Sequence, residues 1–242
     1  MKHATKHAKT SGVTHLGIIM DGNRRWARAQ GLPPFKGHEQ GAKTLKVIAR
    51  ACQDRGITIF TVYALSTENL TQRAHKELEF LFGLMKHAFT KELDEFVAQG
   101  ARIKVLGRRE GLPSSLIDVI RHAEDATADC TKGTIQFCIN YGGRAEIVDA
   151  VKAIGREIAN NKRDPNHIDE SIIAAHLYNP DAPDPDLIIR TSGEQRVSGF
   201  LTWQSVYSEL YFTPTPWPAF TTEELDKALD EYKKRSRRFG GS

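Results

Sequence analysis

Apolar residues along this chain fall into two alternating kinds of stretch. Short apolar runs bounded by turn formers occur at residues 16–20, 57–65, 102–106, 134–140, 187–190 and 210–212. Their length and their aliphatic, β-branched content predict buried strands. Between them the apolar positions recur every three or four residues. Residues 37–55 place Ala42, Leu45, Ile48, Ala49 and Cys52 on one stripe. Residues 76–98 do the same with Leu78, Leu81, Phe82, Met85, Phe89, Leu93 and Phe96, and carry Phe80 and Leu84 off the stripe. These predict helices, as do residues 114–128, 144–160, 169–177 and 222–238, with a further helical segment at 200–206. The second face of helix 76–98 has two readings, a subunit contact or the wall of an apolar tunnel.

Strands alternating with helices imply a single α/β domain with a mostly parallel central sheet flanked by helices on both faces. In such sheets ligands bind beyond the carboxyl ends of the strands. Three polar clusters stand at predicted strand ends: Asp21-Gly22-Asn23, Ser66 to Asn69, and Arg190 to Glu194. The first leads into Arg24 and Arg25, so a strand, a turn and a basic helix start follow one another. Unpaired N–H groups and a positive dipole end there favour a phosphate, and Asp21 beside it suits a hard cation. In the third cluster Arg190, Glu194, Arg196 and Ser198 fall within nine residues. Arginines with a hydroxyl between them can grip a diphosphate, and Glu194 can hold one of them in place. His38 is either a phosphate donor or a helix cap. Glu209, before the apolar run 210–212, is either a buried partner for arginine or a metal ligand.

Composition narrows the field. Of 242 residues, 40% are hydrophobic and 26% charged, which suits a globular protein, and no apolar run approaches a membrane span. A net charge of +4 fits anionic ligands but is too small to indicate nucleic acid. Cys52, Cys130 and Cys138 show no CxxC spacing, which points to a reduced, cytoplasmic protein without disulfides or zinc. Residues 1–13 are basic without an apolar core and read as a disordered tail rather than a signal peptide. The spacing of Asp181, Asp184 and Asp186 among prolines reads as a surface loop.

Taken together, HLGIIMDGNRRWA, FKGHEQGAK, YALSTEN, NYGGRAEIVDA, DLIIRTSGEQRVSGFLTWQ and YSELYFTPTPWPAF resemble the successive motifs of the cis-prenyltransferases. The resemblance runs from about residue 14 to 241. It implies a homodimer that condenses isopentenyl diphosphate onto an allylic diphosphate with Mg2+, each new double bond being cis. It further implies transient contact with the inner face of the membrane for product release. By the same resemblance Asp21 is the catalytic aspartate and a magnesium ligand, and Glu209 completes the metal site. Gly22, Asn23, Arg24 and Arg25 cradle the allylic diphosphate, with Trp26 and His38 lining the site. Ser66, Thr67, Glu68 and Asn69 position the reacting groups, with Asn69 taking part in proton removal. Arg190, Arg196 and Ser198, with Val197 between, hold isopentenyl diphosphate. Three positions depart from the bacterial pattern. Leu70 replaces a common aromatic, Gln72 stands where arginine is usual with Arg73 one place later, and Pro34 occupies an often basic site. Leu70, Gln72 and Arg73 are therefore expected at the allylic subsite in altered form. Ala64 and Ala88 leave the upper tunnel unobstructed and favour a long product, a shorter-chain synthase being the alternative. A non-catalytic partner subunit is disfavoured because Asp21, Arg25, Arg190 and Arg196 are all kept, and a phosphohydrolase because no DxD follows the first strand.

Overall fold

The computed structural model describes residues 11–235. The elements run β1 (His15–Ile19), α1 (Asn23–Ala29), α2 (Pro34–Asp54), β2 (Ile59–Ser66), α3 (Thr67–Gln72), α4 (His75–Lys91), α5 (Leu93–Gln99), β3 (Ala101–Leu106) and α6 (Ser114–Ala126). They continue with β4 (Gly133–Tyr141), α7 (Gly143–Ala159), α8 (Glu170–Ala175), β5 (Leu187–Arg190), β6 (Glu209–Phe212) and α9 (Thr222–Lys234). The strands form one sheet in the order β3-β4-β2-β1-β5-β6, and every pairing is parallel. All five residues of β1 and all four of β5 are buried, as strands covered on both faces must be. The single-domain α/β expectation holds.

Side chains alternate between the two faces of the sheet. On one face Leu16, Ile18, Phe60, Val62, Ile135 and Phe137 pack with α2, α4, α6 and α9 through Ile48, Phe89, Ile120 and Leu225. On the other Ile19, Leu106, Cys138 and Ile188 pack with Phe200 and Leu201. Cys52 and Cys138 are buried and Cys130 is half-buried; all three are free, and burial pushes the Cys52 and Cys138 thiols up.

Three expectations need correction, and one helix was not expected. The helix expected over 76–98 is two helices: α4 stops at Lys91 and α5 starts at Leu93, with a bend at Glu92 (φ −109°, ψ 0°), whose carboxylate pairs with Lys46 of α2. Ser66 to Asn69 stands at the end of β2 as expected and opens a helix that the apolar pattern does not show: Ser66 caps α3, its hydroxyl accepting the Asn69 N–H at 3.0 Å. Residues 200–206 form successive turns rather than a helix, since Ser198 (φ 48°), Gly199 (φ 76°) and Leu201 (φ 46°) are left-handed. Of the tail expected over 1–13, residues 1–10 lie outside the described residues, as do 236–238 of the last helix. Ser11 and Val13 are buried, and Val13 joins the core.

The helices α1 and α2 cross so closely that a Cβ on Gly37 would overlap the backbone carbonyl of Asn23. Gly83 on α4 has nothing within 4 Å of such an atom. Gly37→Ala should therefore destabilise the chain by about 1–3 kcal/mol through overpacking. Gly83→Ala should stabilise it by roughly 0.5–1 kcal/mol through helix propensity. Urea unfolding of both variants checks the pair, and equal effects would contradict the close crossing.

Candidate active site

The strand order places β1 at the centre, with β2 on one side and β5 on the other, and the chain reverses direction of travel there. The carboxyl ends of these three strands open onto one cavity of about 790 Å³. Asp21 stands two residues past β1 and its backbone is pinned on both sides. Its N–H donates to Thr191 Oγ1 at 3.0 Å, and its carbonyl accepts from Thr191 Oγ1 at 2.8 Å and from the Trp217 N–H at 2.9 Å. Gly22 follows with φ 98°, and a Cβ there would lie 2.5 Å from Ser192 Oγ, so only glycine fits this turn.

The Asp21 carboxylate meets two arginines. Arg190 Nη2 donates to Oδ2 at 3.0 Å, and Arg25 lies 3.3 Å from Oδ1. Arg190 ends β5 and its side chain is only 7% exposed. It also donates to Ser198 Oγ at 2.8 Å and to the Arg196 carbonyl, while its Nε is buried without an acceptor. Glu194 ties the two basic clusters together, 3.5 Å from Arg25 and 2.6 Å from Arg196. The expected first and third clusters are thus one continuous network.

A third group, two arginines and a histidine, gathers on Glu77 in the first turn of α4. His38 Nε2 lies 3.2 Å away, Arg73 3.4 Å and Arg24 3.8 Å. Burial, and then the neighbouring Arg73, hold the His38 imidazole below its usual range, so it lines the cavity as a neutral ring whose one N–H is donated to Glu77. Burial likewise pulls the Arg73 guanidinium down, although it stays charged.

The cavity mouth is polar, lined by Asp21, Asn23, Arg24, His38, Ser66, Glu68, Asn69, Arg73, Arg190 and Ser198, all expected from the sequence. Inward it turns apolar between α2 (Ala42, Leu45), β2 (Ala64) and α4 (Leu81, Leu84, Met85, Ala88). Phe89 and Phe137, both buried and edge-to-face at 5.1 Å, close that end. Of the two residues on the second apolar face, Leu84 lines this cavity with the main stripe of α4, and Phe80 packs on Phe35 of α2 with ring centroids 5.6 Å apart.

Other expected residues lie elsewhere. Thr67 packs against Gly142, and Leu70 against the core and Gly111. Val197 packs on the second core cluster, and Trp26 is half-buried outside the cavity lining. Gln72 ends α3 exposed, whereas Arg73 leaves it extended (φ −76°, ψ 149°) and reaches the cavity, so the cation is displaced by one position and kept. Glu209 does not meet Asp21 within the chain. It pairs in register with Leu187 at the start of β5, three residues or about 10 Å back from the level of Arg190. Its carboxylate accepts from Arg235 at 2.7 Å. Asp186 accepts the N–H groups of Thr14 and His15, so the acidic loop is structural. Glu77, Tyr63, Arg144 and Trp217 were not singled out from the sequence. Arg144 lines the mouth from the first turn of α7, and the motif NYGGR was its only signal.

The comparisons agree with this geometry. Residues 19–240 match the family model described as "Putative undecaprenyl diphosphate synthase". Isoprenyl transferase 2 of Bradyrhizobium diazoefficiens is 43% identical over 233 residues, covering 96% of this chain and 92% of that protein. The (2Z,6E)-farnesyl diphosphate specific trans,polycis-polyprenyl diphosphate synthase of Thermobifida fusca is 43% identical over 94% of this chain and 80% of its own length. Among solved structures, lavandulyl diphosphate synthase from Lavandula x intermedia, in complex with dimethylallyl diphosphate, superposes with a TM-score of 0.92 at 34% identity. That match covers 96% of this chain and 99% of the other. A probable undecaprenyl diphosphate synthase from Campylobacter jejuni gives 0.77 at 30% identity, over 95% and 99%. Fold and site together define a prenyltransferase. Within that class, the chain belongs to the undecaprenyl diphosphate synthase family of cis-prenyltransferases.

Arg73→Ala should lower prenyltransferase turnover at low substrate by about tenfold or more (~1.4 kcal/mol), while Gln72→Ala should leave it nearly unchanged. Steady-state rates of the two variants test whether the cation has moved one place along the chain; a larger loss in the glutamine variant would show that it has not.

Proposed function

We propose that the chain joins isopentenyl diphosphate to an allylic diphosphate such as farnesyl diphosphate, each condensation leaving a cis double bond and a lengthened polyprenyl diphosphate. The observation that carries this reading is the continuity of a cationic mouth with an apolar interior. A diphosphate head and a hydrocarbon tail need those two environments in contact. Arg24, Arg73 and His38 face the allylic diphosphate, and Arg190, Arg196 and Ser198 face that of isopentenyl diphosphate. The allylic C–O bond breaks with its electron pair leaving on the diphosphate. The double bond of the other substrate then attacks the cation, and loss of a proton restores a double bond. Guanidinium groups aimed at the leaving diphosphate stabilise the charge that develops there. Holding two substrates in register supplies much of the remaining acceleration. Asn69, held by Ser66 at the cavity edge, takes part in the proton loss.

Mg2+ fits this site through one residue. Among the described residues no group of three or more acidic, His or Cys side chains is arranged for a metal. Magnesium, however, is commonly held by one or two carboxylates together with substrate phosphates and water. Asp21, partly exposed beside the cations, would hold it, and the ion would neutralise the departing diphosphate. Glu209 could join it only from a second copy of the chain. A homodimer is supported by exposed Val148 and Val151 on α7 and Val206 and Tyr207 nearby in sequence to the 192–201 loop. Among the described residues no helix is long and apolar enough to cross a membrane. A cytoplasmic enzyme that touches the inner membrane face while releasing product fits that finding and the free thiols.

Ala64 and Ala88 in the wall favour a long product, of undecaprenyl type and suited to a cell-wall lipid carrier. The Phe89–Phe137 pair at the inner end favours a shorter one.

Mass spectrometry of products from isopentenyl and farnesyl diphosphates tests the activity, with Mg2+ required. Asp21→Ala should lower turnover by at least about a hundredfold (~2.7 kcal/mol) with the fold intact. A variant within tenfold of the parent would remove Asp21 from the chemistry. Ala64→Leu should shorten the product distribution while the first condensation persists. An unchanged distribution from active protein would show that the growing chain does not pass β2.

A further inference from the structure

Residues 192–201 carry Arg196 and Ser198, yet their backbone is unusually demanding. Ser192, Ser198 and Leu201 have φ of 75°, 48° and 46°, although none is glycine. Such conformations persist only where the surroundings over-determine them. Ser192 and Gly193 donate to the carbonyls of Thr215 and Thr213 at 3.0 and 2.8 Å, which fixes the near end. The Gly143 N–H donates to the Gly199 carbonyl at 2.8 Å, which fixes one point on the far end.

The remaining support comes from beneath. Phe200 is fully buried and lies directly against β1, where a Cβ on Gly17 would stand 2.9 Å from its ring. The Phe200 ring stacks on Tyr63 of β2, with centroids 5.0 Å apart and planes at 22°. Tyr63 in turn packs edge-on to Tyr141 at 5.9 Å. Its hydroxyl lies 3.2 Å from the Tyr141 carbonyl and 3.3 Å from the Ser198 carbonyl, so one proton serves two acceptors. Burial, reinforced by Glu68, keeps that phenol protonated at all ordinary pH. Ser198 Oγ then accepts from Arg190, whose other nitrogen donates to Asp21. An unbroken line of contacts runs from Gly17 through Phe200, Tyr63 and Ser198 to Arg190.

Resting on the proposed division of the diphosphates, we infer that Tyr63 is a positioning residue for isopentenyl diphosphate. Its hydroxyl holds the Ser198 turn in place, and Gly17 makes room for the ring it stacks on. Tyr63 belongs to no basic cluster and contributes no charge. Its effect is on where Ser198 and Arg190 present their donors, so it should appear in the affinity for one substrate and not the other.

The test uses the full chain with Tyr63→Phe, which removes one oxygen and keeps the stack, and with Gly17→Ala, which keeps the hydroxyl and displaces Phe200. Calorimetry measures binding of isopentenyl diphosphate and of farnesyl diphosphate to each, beside steady-state KM values and thermal midpoints. Tyr63→Phe should weaken isopentenyl diphosphate by about tenfold, the scale of one lost hydrogen bond with a carbonyl left unmet. Farnesyl diphosphate should bind within twofold of the parent. Gly17→Ala should shift the same substrate, and the double variant should lose less than the sum of the two because both act through one ring. Equal losses for both substrates, or parental affinity in a folded Tyr63→Phe protein, would overturn the inference and leave the proposed activity standing. A parent protein that binds neither diphosphate would overturn both. If Tyr63→Phe were too unstable to assay, Gly17→Ala decides alone: a loss confined to isopentenyl diphosphate supports the line of contacts, and any other pattern rejects it.

Discussion

A buried guanidinium joins the two sides of the active-site mouth. Arg190 leaves the end of β5 with almost no access to water, and a charge so placed is tolerable only when paired and hydrogen-bonded. Its partners come from both directions: the Asp21 carboxylate beyond β1, and the Arg196 carbonyl and Ser198 hydroxyl on its own loop. The adjacency of β1 and β5 makes this geometry available, since Ile19 and Arg190 are register partners. Removing either strand end would strand a charge in the interior. The left-handed residues of the 192–201 loop can be understood as the form the chain must take to meet that guanidinium.

Much of this was legible in the sequence for a simple reason. Strands buried on both faces read as unbroken apolar runs, so all six were located within about two residues, and functional groups that directly follow such runs were located with them. Asp21, Ser66 and Arg190 are of that kind. What depended on tertiary closure was not legible. α3 has the sequence TENLTQ, with no apolar period, and exists because Ser66 caps it. The left-handed turns after Arg196 have no glycine at Ser198 or Leu201 to announce them. Where α3 stops decides whether Gln72 or Arg73 reaches the cavity, and no local pattern fixes that residue. Glu77 looked ordinary because acids are common in a first helical turn, yet it gathers Arg24, His38 and Arg73 from three stretches of the chain. Glu209 stayed ambiguous for a different reason. A carboxylate beside an apolar run looks the same at the start of a strand as at its end, and only the pairing with Leu187 separates the two.

The interior wall is built from unlike halves. One side is sheet, whose strands are locked by their ladders. The other is α4 laid against α2, and polar contacts join these helices at both ends: a hydrogen bond between His38 and Glu77 near the mouth and an ion pair between Lys46 and Glu92 at the far end. Between those pairs the facing residues are apolar and many are small, notably Gly41, Ala42 and Ala88. Polar contacts thus flank a gap that hydrocarbon side chains line.

The change from cationic mouth to apolar interior also gives the cavity a direction. A molecule with a charged head and a hydrocarbon tail can lodge in it one way round only. On the proposed reaction each newly added unit would lie nearest the mouth, and the oldest part of the molecule deepest. The wall behaves as a ruler whose zero is fixed at Asp21 and Arg190. If the proposed condensation repeats, early cycles would sense only its first divisions, and Phe89 and Phe137 would meet the chain only in later ones. Variation deep in this wall can accordingly alter what the enzyme makes while leaving how it makes it untouched.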